Sequence, residues 1–376
     1  MQAHRGEQVS VGVLGAGGTI APAIVRDLAE SEEVGQMLLL DLNVERAAAV
    51  AAEHGGEKAS SAAVDARDVD ALARALADVD VLVNTAAYRV NRDAMRSCLA
   101  AGCHYFDLGG LYRMTRRQLE LGDAFTRAGL LALLGIGSSP GKTNLMAAQA
   151  VERLGGDESD IRSIDVVAGG RDPVAVQDGH LRPPYALQTL LDELTLSPIV
   201  LRDGRAIEIE PLSAGGVVDF GEPIGRADTI YTLHSELATF GASFACRSAS
   251  FRLSLASRLL ARLRDLAGAP ADTVEAAARD AVPPSSETVS VHLVKAVAES
   301  GEWVKVRAVT RPFFGLGGSI VSTAAPAAAC VRLLARGSLT AVGAMPPERC
   351  LKPSEVFADL EARGCKFEVL TGAGRR

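Results

Sequence analysis

Two apolar runs bracket a glycine cluster near the start of this chain, and no other stretch limits its fold as much. Val11-Gly12-Val13-Leu14 reads as a strand, Gly15-Ala16-Gly17-Gly18 as a tight turn, Thr19 to Glu30 as a helix, and Met37 to Leu40 as a second strand ending on Asp41. Such a turn needs glycine for positive φ and for close backbone approach to a pyrophosphate. The helix behind it aims unsatisfied N–H groups at that anion. An acid closing the second strand accepts ribose hydroxyls. The third glycine of G-x-G-x-x-G falls on Ile20, and a small residue arrives one place later at Ala21, so the run reads G-x-G-G-x-x-A. The expectation is a dinucleotide held by Gly15, Gly17, Gly18, Thr19 and Ile20, with Asp41 on its ribose. A carboxylate ~4 Å from a 2′-phosphate costs on the order of 4 kcal/mol at an effective dielectric of ~20, which favours NAD. Arg46 stands close in sequence and softens that preference, so NADP stays open.

The alternation continues beyond Asp41. Helices are expected over Val44 to Glu53, Val69 to Ala77, Asn91 to Ala101 and Thr115 to Ala128, and strands over Ala59 to Val64, Val79 to Asn84, His104 to Leu108 and Leu130 to Leu134. Nearly continuous apolar strands alternating with helices give a parallel sheet covered on both faces. Ligands of such sheets bind at the carboxyl ends of the strands. That edge gathers the glycine turn, Asp41, Asp65, Asn84, Thr85 and Ala86 with Tyr88, then Asp107, Gly109 and Gly110, and finally Gly135 to Gly141 with Ser139 and Pro140.

Past Gly141 the pattern changes to α+β. Asn144 to Leu154 reads as a helix, Ile164 to Ala168, Ile199 to Leu201 and Ala206 to Ile209 as strands, and Leu253 to Ala267 as an amphipathic helix. Val289 to Ala298 and Glu302 to Val309 flank Glu299-Ser300-Gly301 as a hairpin. Ser322 to Arg336 and Ser354 to Arg363 read as closing helices. The expected organisation is a doubly wound parallel α/β domain over residues 1–142 and an α+β domain with a mixed or antiparallel sheet over 143–320. Helices over 321–376 then return to the first domain. No internal repeat or low-complexity tract interrupts it.

The chain's 376 residues allow two or three domains. A net charge of −7 argues against nucleic acid as a main partner. The cysteines at 98, 103, 246, 330, 350 and 365 form no C-x-x-C, and the polar start, Met1 to Gln8, carries no secretory signal, so a cytoplasmic, reducing compartment is expected. No apolar stretch is seen to reach the ~18 residues of a membrane span, so no membrane partner is expected. The six histidines show no metal-ligand spacing, and no metal is expected.

Gly135 to Thr143 has the look of a P-loop but the wrong spacing, because Gly135 leaves one residue too many before Gly141 and Gly137 one too few. A nucleotide triphosphatase is the weaker alternative to a turn that closes the nicotinamide side of the site. Ala101-Gly102-Cys103-His104-Tyr105-Phe106-Asp107-Leu108-Gly109-Gly110-Leu111, then Leu134-Gly135 through Pro140-Gly141, resembles the saccharopine dehydrogenase family. So do Tyr231-Thr232-Leu233-His234-Ser235-Glu236 and Gly343-Ala344-Met345-Pro346-Pro347-Glu348. The resemblance covers nearly the whole chain. It implies a Rossmann domain, an inserted catalytic and dimerisation domain, a homodimer, and pyridine-nucleotide oxidation of an amine at the lysine ε-position. Saccharopine would give glutamate and lysine semialdehyde. Lysine 6-dehydrogenase shares the framework, and a non-catalytic NAD-binding sensor is the alternative of another class.

Hydride leaves a carbon bearing nitrogen only if that nitrogen is neutral, so a base must take its proton. Tyr88 and Asp107 follow sheet strands and are acid/base candidates. Tyr88 reads equally as a rim tyrosine, and Asp107 as a turn acid holding Gly109-Gly110. Cys103 reads as core. His234 and Glu236, two apart at the end of an apolar strand, share a face; Glu236 is placed to pair with a substrate ammonium and His234 to shuttle protons near neutrality. Arg171 and Arg311 are candidates for bidentate substrate carboxylates, and Tyr185, with His180, lies in a Pro-rich loop that reads as a lid or as a rigid surface loop.

Overall fold

The computed structural model describes residues 8–155, 161–174, 176 and 180–373. Residues 1–7, read above as polar and signal-free, lie outside these. The chain divides into two compact units, Met1–Lys142 with Thr323–Asp359, and Thr143–Ser322 with Leu360–Arg376.

In the first unit, β1 (Val9–Leu14), β2 (Val34–Asp41), β3 (Ala59–Ala63), β4 (Val81–Asn84), β5 (His104–Asp107) and β6 (Leu131–Leu133) pair in parallel. The late strand Gly343–Met345 adds in parallel to β6. The order is Gly343–Met345, β6, β5, β4, β1, β2, β3. The central strands are mainly apolar, as in a sheet covered on both faces, and Val11, Val13, Leu39, Leu40, Leu82 and Val83 are fully buried. The order reverses between β1 and β4, the switch point where ligands of open α/β sheets bind. Register aligns Leu14 with Leu40 and Asn84, and Asn84 with Asp107, so the segments after these strands leave one sheet edge together.

Expectations change at three places outside the second sheet. The helix read over Thr115 to Ala128 is two, Leu111–Leu119 and Gly122–Ala128, broken beside a glycine that adds little helix propensity. The helix Gly318–Ala335 has the length and composition of a membrane span, contrary to the reading that no stretch reaches it, but most of it is buried inside the protein. It contains Pro326, and its buried Arg332 forms a bidentate pair with Asp359 at 2.9 and 2.6 Å and bonds to Asp27 at 3.1 Å and Ser31 Oγ at 3.0 Å. Those contacts anchor it to the helices Ala21–Ala29 and Pro353–Glu361. The closing segment is not wholly helical and does not stay with the first unit. Gly343–Met345 is a strand, and Leu360–Arg376 belongs to the second unit.

The second unit is built on β7 (Ile161–Arg171), β8 (Ile199–Arg202), β9 (Arg205–Glu208), β10 (Ala214–Asp219), β11 (Arg226–Tyr231), β12 (Ser248–Leu253), β13 (Val289–Ala298) and β14 (Trp303–Thr310), with the last strand Cys365–Gly372. Along its main path the order is β10, β11, β12, β7, β13, β14, Cys365–Gly372, and β8 joins β12 and carries β9. Only β7 and β12 run parallel, so the sheet is mixed. β13 and β14 form the hairpin read around Glu299-Ser300-Gly301. The stretch read as a helix from Leu253 begins on the last residue of β12, and its helix covers only Ser257–Leu266.

Candidate functional site

The glycine turn is positioned by backbone bonds to both neighbouring strands. The N–H groups of Gly15 and Ala16 donate to Leu40 O at 2.8 and 3.1 Å. Thr85 donates from N and Oγ1 to Leu14 O, both at 2.8 Å. Gly15 has φ +77°, and a Cβ there would meet Ala86 N at 2.6 Å, so the turn closes against the loop after β4 only without a side chain. Asp41 accepts from Gly17 N at 2.9 Å and Asn43 N at 2.8 Å, one bond to each oxygen, which leaves a lone pair on each for a further donor. Gly18 and Thr19 are exposed, and no side chain caps the helix that opens after Ile20. A narrow glycine cradle, an uncapped helix N-terminus and a strand-end acid together fit a dinucleotide pyrophosphate and ribose. The Arg46 Cβ lies 2.8 Å from where a Gly17 Cβ would stand, so Arg46 borders the same ground.

The other residues of this edge have different parts. Asp65 is exposed and accepts from Arg67 N in a turn beyond β3. Asn84 is buried; it accepts from Ala86 N at 3.0 Å and donates to Asn91 Oδ1 at 3.0 Å and Tyr105 OH at 3.1 Å. Tyr88 is half-buried in a short turn, with the Arg89 guanidinium 5.0 Å over its ring. Asp107 takes Gly109 N at 2.9 Å and Gly135 N at 2.8 Å on one oxygen, and Gln118 Nε2 at 2.6 Å and Asn91 Nδ2 at 3.3 Å on the other. Burial raises its pKa despite these donors. As a correction to its acid/base candidacy, Asp107 is a fully enclosed knot tying the Gly109-Gly110 turn to Gly135. Gly110 sits against the Gln118 side chain of the helix it opens. Gly137 N donates to Pro140 O and Lys142 N to Gly137 O, both at 2.9 Å, so two N–H groups a phosphate loop needs are used internally. Ser139 precedes Pro140 through a cis peptide in this turn. Cys103 is buried in the core.

In the second unit the structure gathers His234, Glu236 and Tyr185, and adds Glu193, Thr143 and Phe251. β11 ends at Tyr231 and Glu236 opens a 3₁₀ turn, so His234 and Glu236 meet across a turn rather than along a strand. His234 Nδ1 lies 3.0 Å from Glu236 Oε2, and its Nε2 lies 3.6 Å from Glu193 Oε2. The imidazole stacks on Phe251 of β12, centroids 3.5 Å apart. Thr143 Oγ1 donates to Glu236 Oε1 at 2.7 Å, and the Tyr185 hydroxyl donates to Glu193 Oε2 in a short hydrogen bond. Leu233 N donates to Glu193 O, which joins the helix Leu187–Thr195 to the chain before His234.

Burial alone would lower the His234 pKa, but Glu236 and then Glu193 outweigh it and raise it to about 10. Burial acts to raise the Glu236 pKa, and the His234 charge outweighs it, so the net shift is downward. Burial and then the Glu193 charge hold the Tyr185 phenol well above its usual value. His234 is therefore an imidazolium across neutrality, a fixed cation between two carboxylates, and not the neutral-pH shuttle expected from its type. A pKa raised above the ordinary 6.5 contributes stability that is fully present below pH 6.5 and is lost as pH rises toward about 10. Thermal unfolding of the second unit should shift down by roughly several degrees over that range. The slope should flatten in a His234→Leu variant followed by the same scan.

Arg171 is exposed and donates to Pro223 O at 2.9 Å, and Arg311 is exposed beyond β14. Register sets Arg171 opposite Val289 and Thr310 opposite Ser290, so both arginines stand at one end of the sheet, but the structure does not show them in the His234 cluster. His180 is exposed against Asp280 O. Residues 175 and 177–179 of the adjoining loop lie outside the described residues. Sequence reasoning missed Glu193, although an acid among Leu187, Leu190, Leu191 and Leu194 on a buried helix was a usable signal. Thr143, Phe251, Asn91 and Gln118 offered no local sign.

Residues 11–133 match the family model described as the saccharopine dehydrogenase NADP binding domain. Over those residues the sequence is similar to the nucleotide-binding domain of the saccharopine dehydrogenase family. The chain's backbone also resembles saccharopine dehydrogenase (L-Glu forming) from Saccharomyces cerevisiae, at a TM-score of 0.70 and 16% identity, over 97% of this chain and 100% of that one. At that identity the likeness establishes a shared fold. Carboxyaminopropylagmatine dehydrogenase from Synechocystis sp. is 28% identical over 233 residues, 60% of this chain and 56% of that protein. Carboxynorspermidine synthase from Vibrio alginolyticus is 30% identical over 125 residues, 30% of each. The chain thus spans about half the length of the first of these relatives and less than a third of the second. The matched stretch takes in the glycine turn, Asp41, Asn84 and Asp107, and ends at Leu133 on β6.

Proposed function

We propose that the protein is a pyridine-nucleotide-dependent dehydrogenase acting on the C–N bond of a secondary amine that carries a carboxylated carbon chain. The observation that carries this reading is the family match over residues 11–133, on a glycine turn whose geometry admits a pyrophosphate. The dinucleotide, when bound, supplies the hydride acceptor. The chain's own residues supply the rest. The N–H groups of Thr19 and Ile20, at the uncapped start of the helix, would meet the pyrophosphate, Asp41 would orient the ribose, and the Asp107 knot holds the Gly109 and Gly135 turns in place.

Loss of hydride from the carbon beside nitrogen gives an iminium, and water adds to it to release an aldehyde and a free amine. Saccharopine fits this scheme and yields glutamate and lysine semialdehyde. The names of the two relatives add carboxylated agmatine and norspermidine amines to the candidates, and those names favour an amine with further basic groups. Direct deamination of lysine is the second reading.

The test is to incubate the full chain with NAD or NADP and, separately, saccharopine, carboxynorspermidine and lysine, following reduced nicotinamide and free ammonia. Reduced cofactor from a carboxylated secondary amine without ammonia is the expected result. Ammonia from lysine alone would shift the assignment to the second reading, and tight dinucleotide binding without any turnover would favour a sensor.

Cofactor choice rests on Asp41 and Arg46. Neutralising the acid in Asp41→Asn removes its repulsion of a 2′-phosphate. The ratio of kcat/KM for NADP over NAD should rise about tenfold or more, within the limit of the Coulomb cost at that separation.

A further inference from the structure

Glu193 is a nearly buried carboxylate with only half of its bonding capacity used. Its Oε2 accepts from the Tyr185 hydroxyl and faces His234 Nε2 at 3.6 Å. Its Oε1 has no partner among the described residues. The side chain is 4% exposed. Its one ionic partner there is His234, which Glu236 engages more closely, at 3.0 Å. Thr232, two residues before His234, buries a hydroxyl that also has no partner among the described residues. Buried carboxylates are held by cations and hydrogen-bond donors, and an open oxygen in such a place needs a donor.

We propose that Glu193 Oε1 holds a permanently charged group of the substrate, an ammonium or guanidinium, at a distance along the substrate from the reacting nitrogen. The reacting nitrogen itself is a poor occupant. A carboxylate against it would stabilise its protonated form, and hydride departs only from the neutral amine. A second basic group has the opposite requirement, because it must stay charged and gains from the pairing. His234 then has a positioning part, since its fixed cation and the Tyr185 hydroxyl hold Oε2 and leave Oε1 for a further donor. The substrate class that follows is a diamine, polyamine or guanidino-amine bearing the carboxylated chain. Its role as substrate, though not its binding, rests on the dehydrogenase reading.

The test is isothermal titration of the full chain with agmatine and with norspermidine, each with and without saturating NADPH, with glutarate as the anionic control. Wild-type protein should bind both amines and not glutarate. E193Q should weaken amine binding about 10- to 100-fold, the range for a lost charge-assisted hydrogen bond, with NADPH affinity unchanged. E193D keeps the charge but draws it back by one methylene, and should weaken the amines by less. If wild type binds neither amine in either condition, or if E193Q and E193D bind them as tightly as wild type does, the proposal is overturned. E193D alone decides it should E193Q not fold. Failure of wild type to bind NADPH would instead remove the dehydrogenase reading, whatever the amines do.

Discussion

His234→Leu is expected to cost the protein about 3–5 kcal/mol of folding stability, the penalty for breaking a buried ion pair from one side. The substitution removes the cation between Glu193 and Glu236 and leaves both carboxylates buried without it. The ring stacked on Phe251 is lost as well, although leucine refills part of its volume. Adding Glu236→Gln to the same chain should recover part of the loss, because one of the stranded charges is then neutral and its amide still meets Thr143 Oγ1. Urea unfolding followed by a probe in the second unit measures both, since a two-unit protein need not unfold in one step. A loss below about 1 kcal/mol for the single substitution, typical of an exposed pair, would mean that the imidazolium is not the centre of this cluster.

Gly15→Ala is expected to lower dinucleotide affinity by about 100-fold or more while leaving most of the fold intact. The penalty has two parts. The residue sits at φ +77°, where a Cβ costs roughly 1–2 kcal/mol. The new methyl carbon would also stand 2.6 Å from Ala86 N and 2.7 Å from Ala86 Cα, which are backbone atoms that cannot swing aside. The turn must therefore move away from the loop after β4, and the helix start behind it leaves the position from which its N–H groups would meet a pyrophosphate. Gly102→Ala separates the two parts, because Gly102 is also left-handed, at φ +80°, but has open space where its Cβ would lie. Fluorescence titration with NADH or NADPH should show near wild-type affinity for Gly102→Ala and a large loss for Gly15→Ala. Equal affinities in the two variants would place the cofactor elsewhere.

The parts that were legible in the sequence are those whose signal is local. The glycine turn, the acid after β2 and the alternation of apolar strands with helices each depend on a few adjacent residues, and the parallel sheet follows from them. The turn-acid alternative for Asp107 was also readable, because Gly109-Gly110 follows it directly. The second unit was harder. β10 is largely exposed, so it lacks the apolar alternation that marks a strand. β12 lies just before the expected amphipathic helix and shares only Leu253 with it, and the strand Cys365–Gly372 follows a helix with only Gly364 between its expected end, Arg363, and the first paired residue. His234 and Glu236 were found through a motif, but their state was not. A histidine's type predicts titration near neutrality, and only the two carboxylates brought to it by folding, one of them 41 residues away in sequence, turn it into a fixed cation.

The account stands on hydride transfer from a carboxylated secondary amine. Its most direct test mixes the full chain with oxidised NAD or NADP and either carboxynorspermidine or saccharopine, and records reduced nicotinamide together with the amine set free. The two products should appear in equal amounts from at least one of these substrates, and at subsaturating dinucleotide Gly15→Ala should lower both together. Reduced nicotinamide failing to form from either secondary amine, in a protein that demonstrably holds the dinucleotide, would contradict the account.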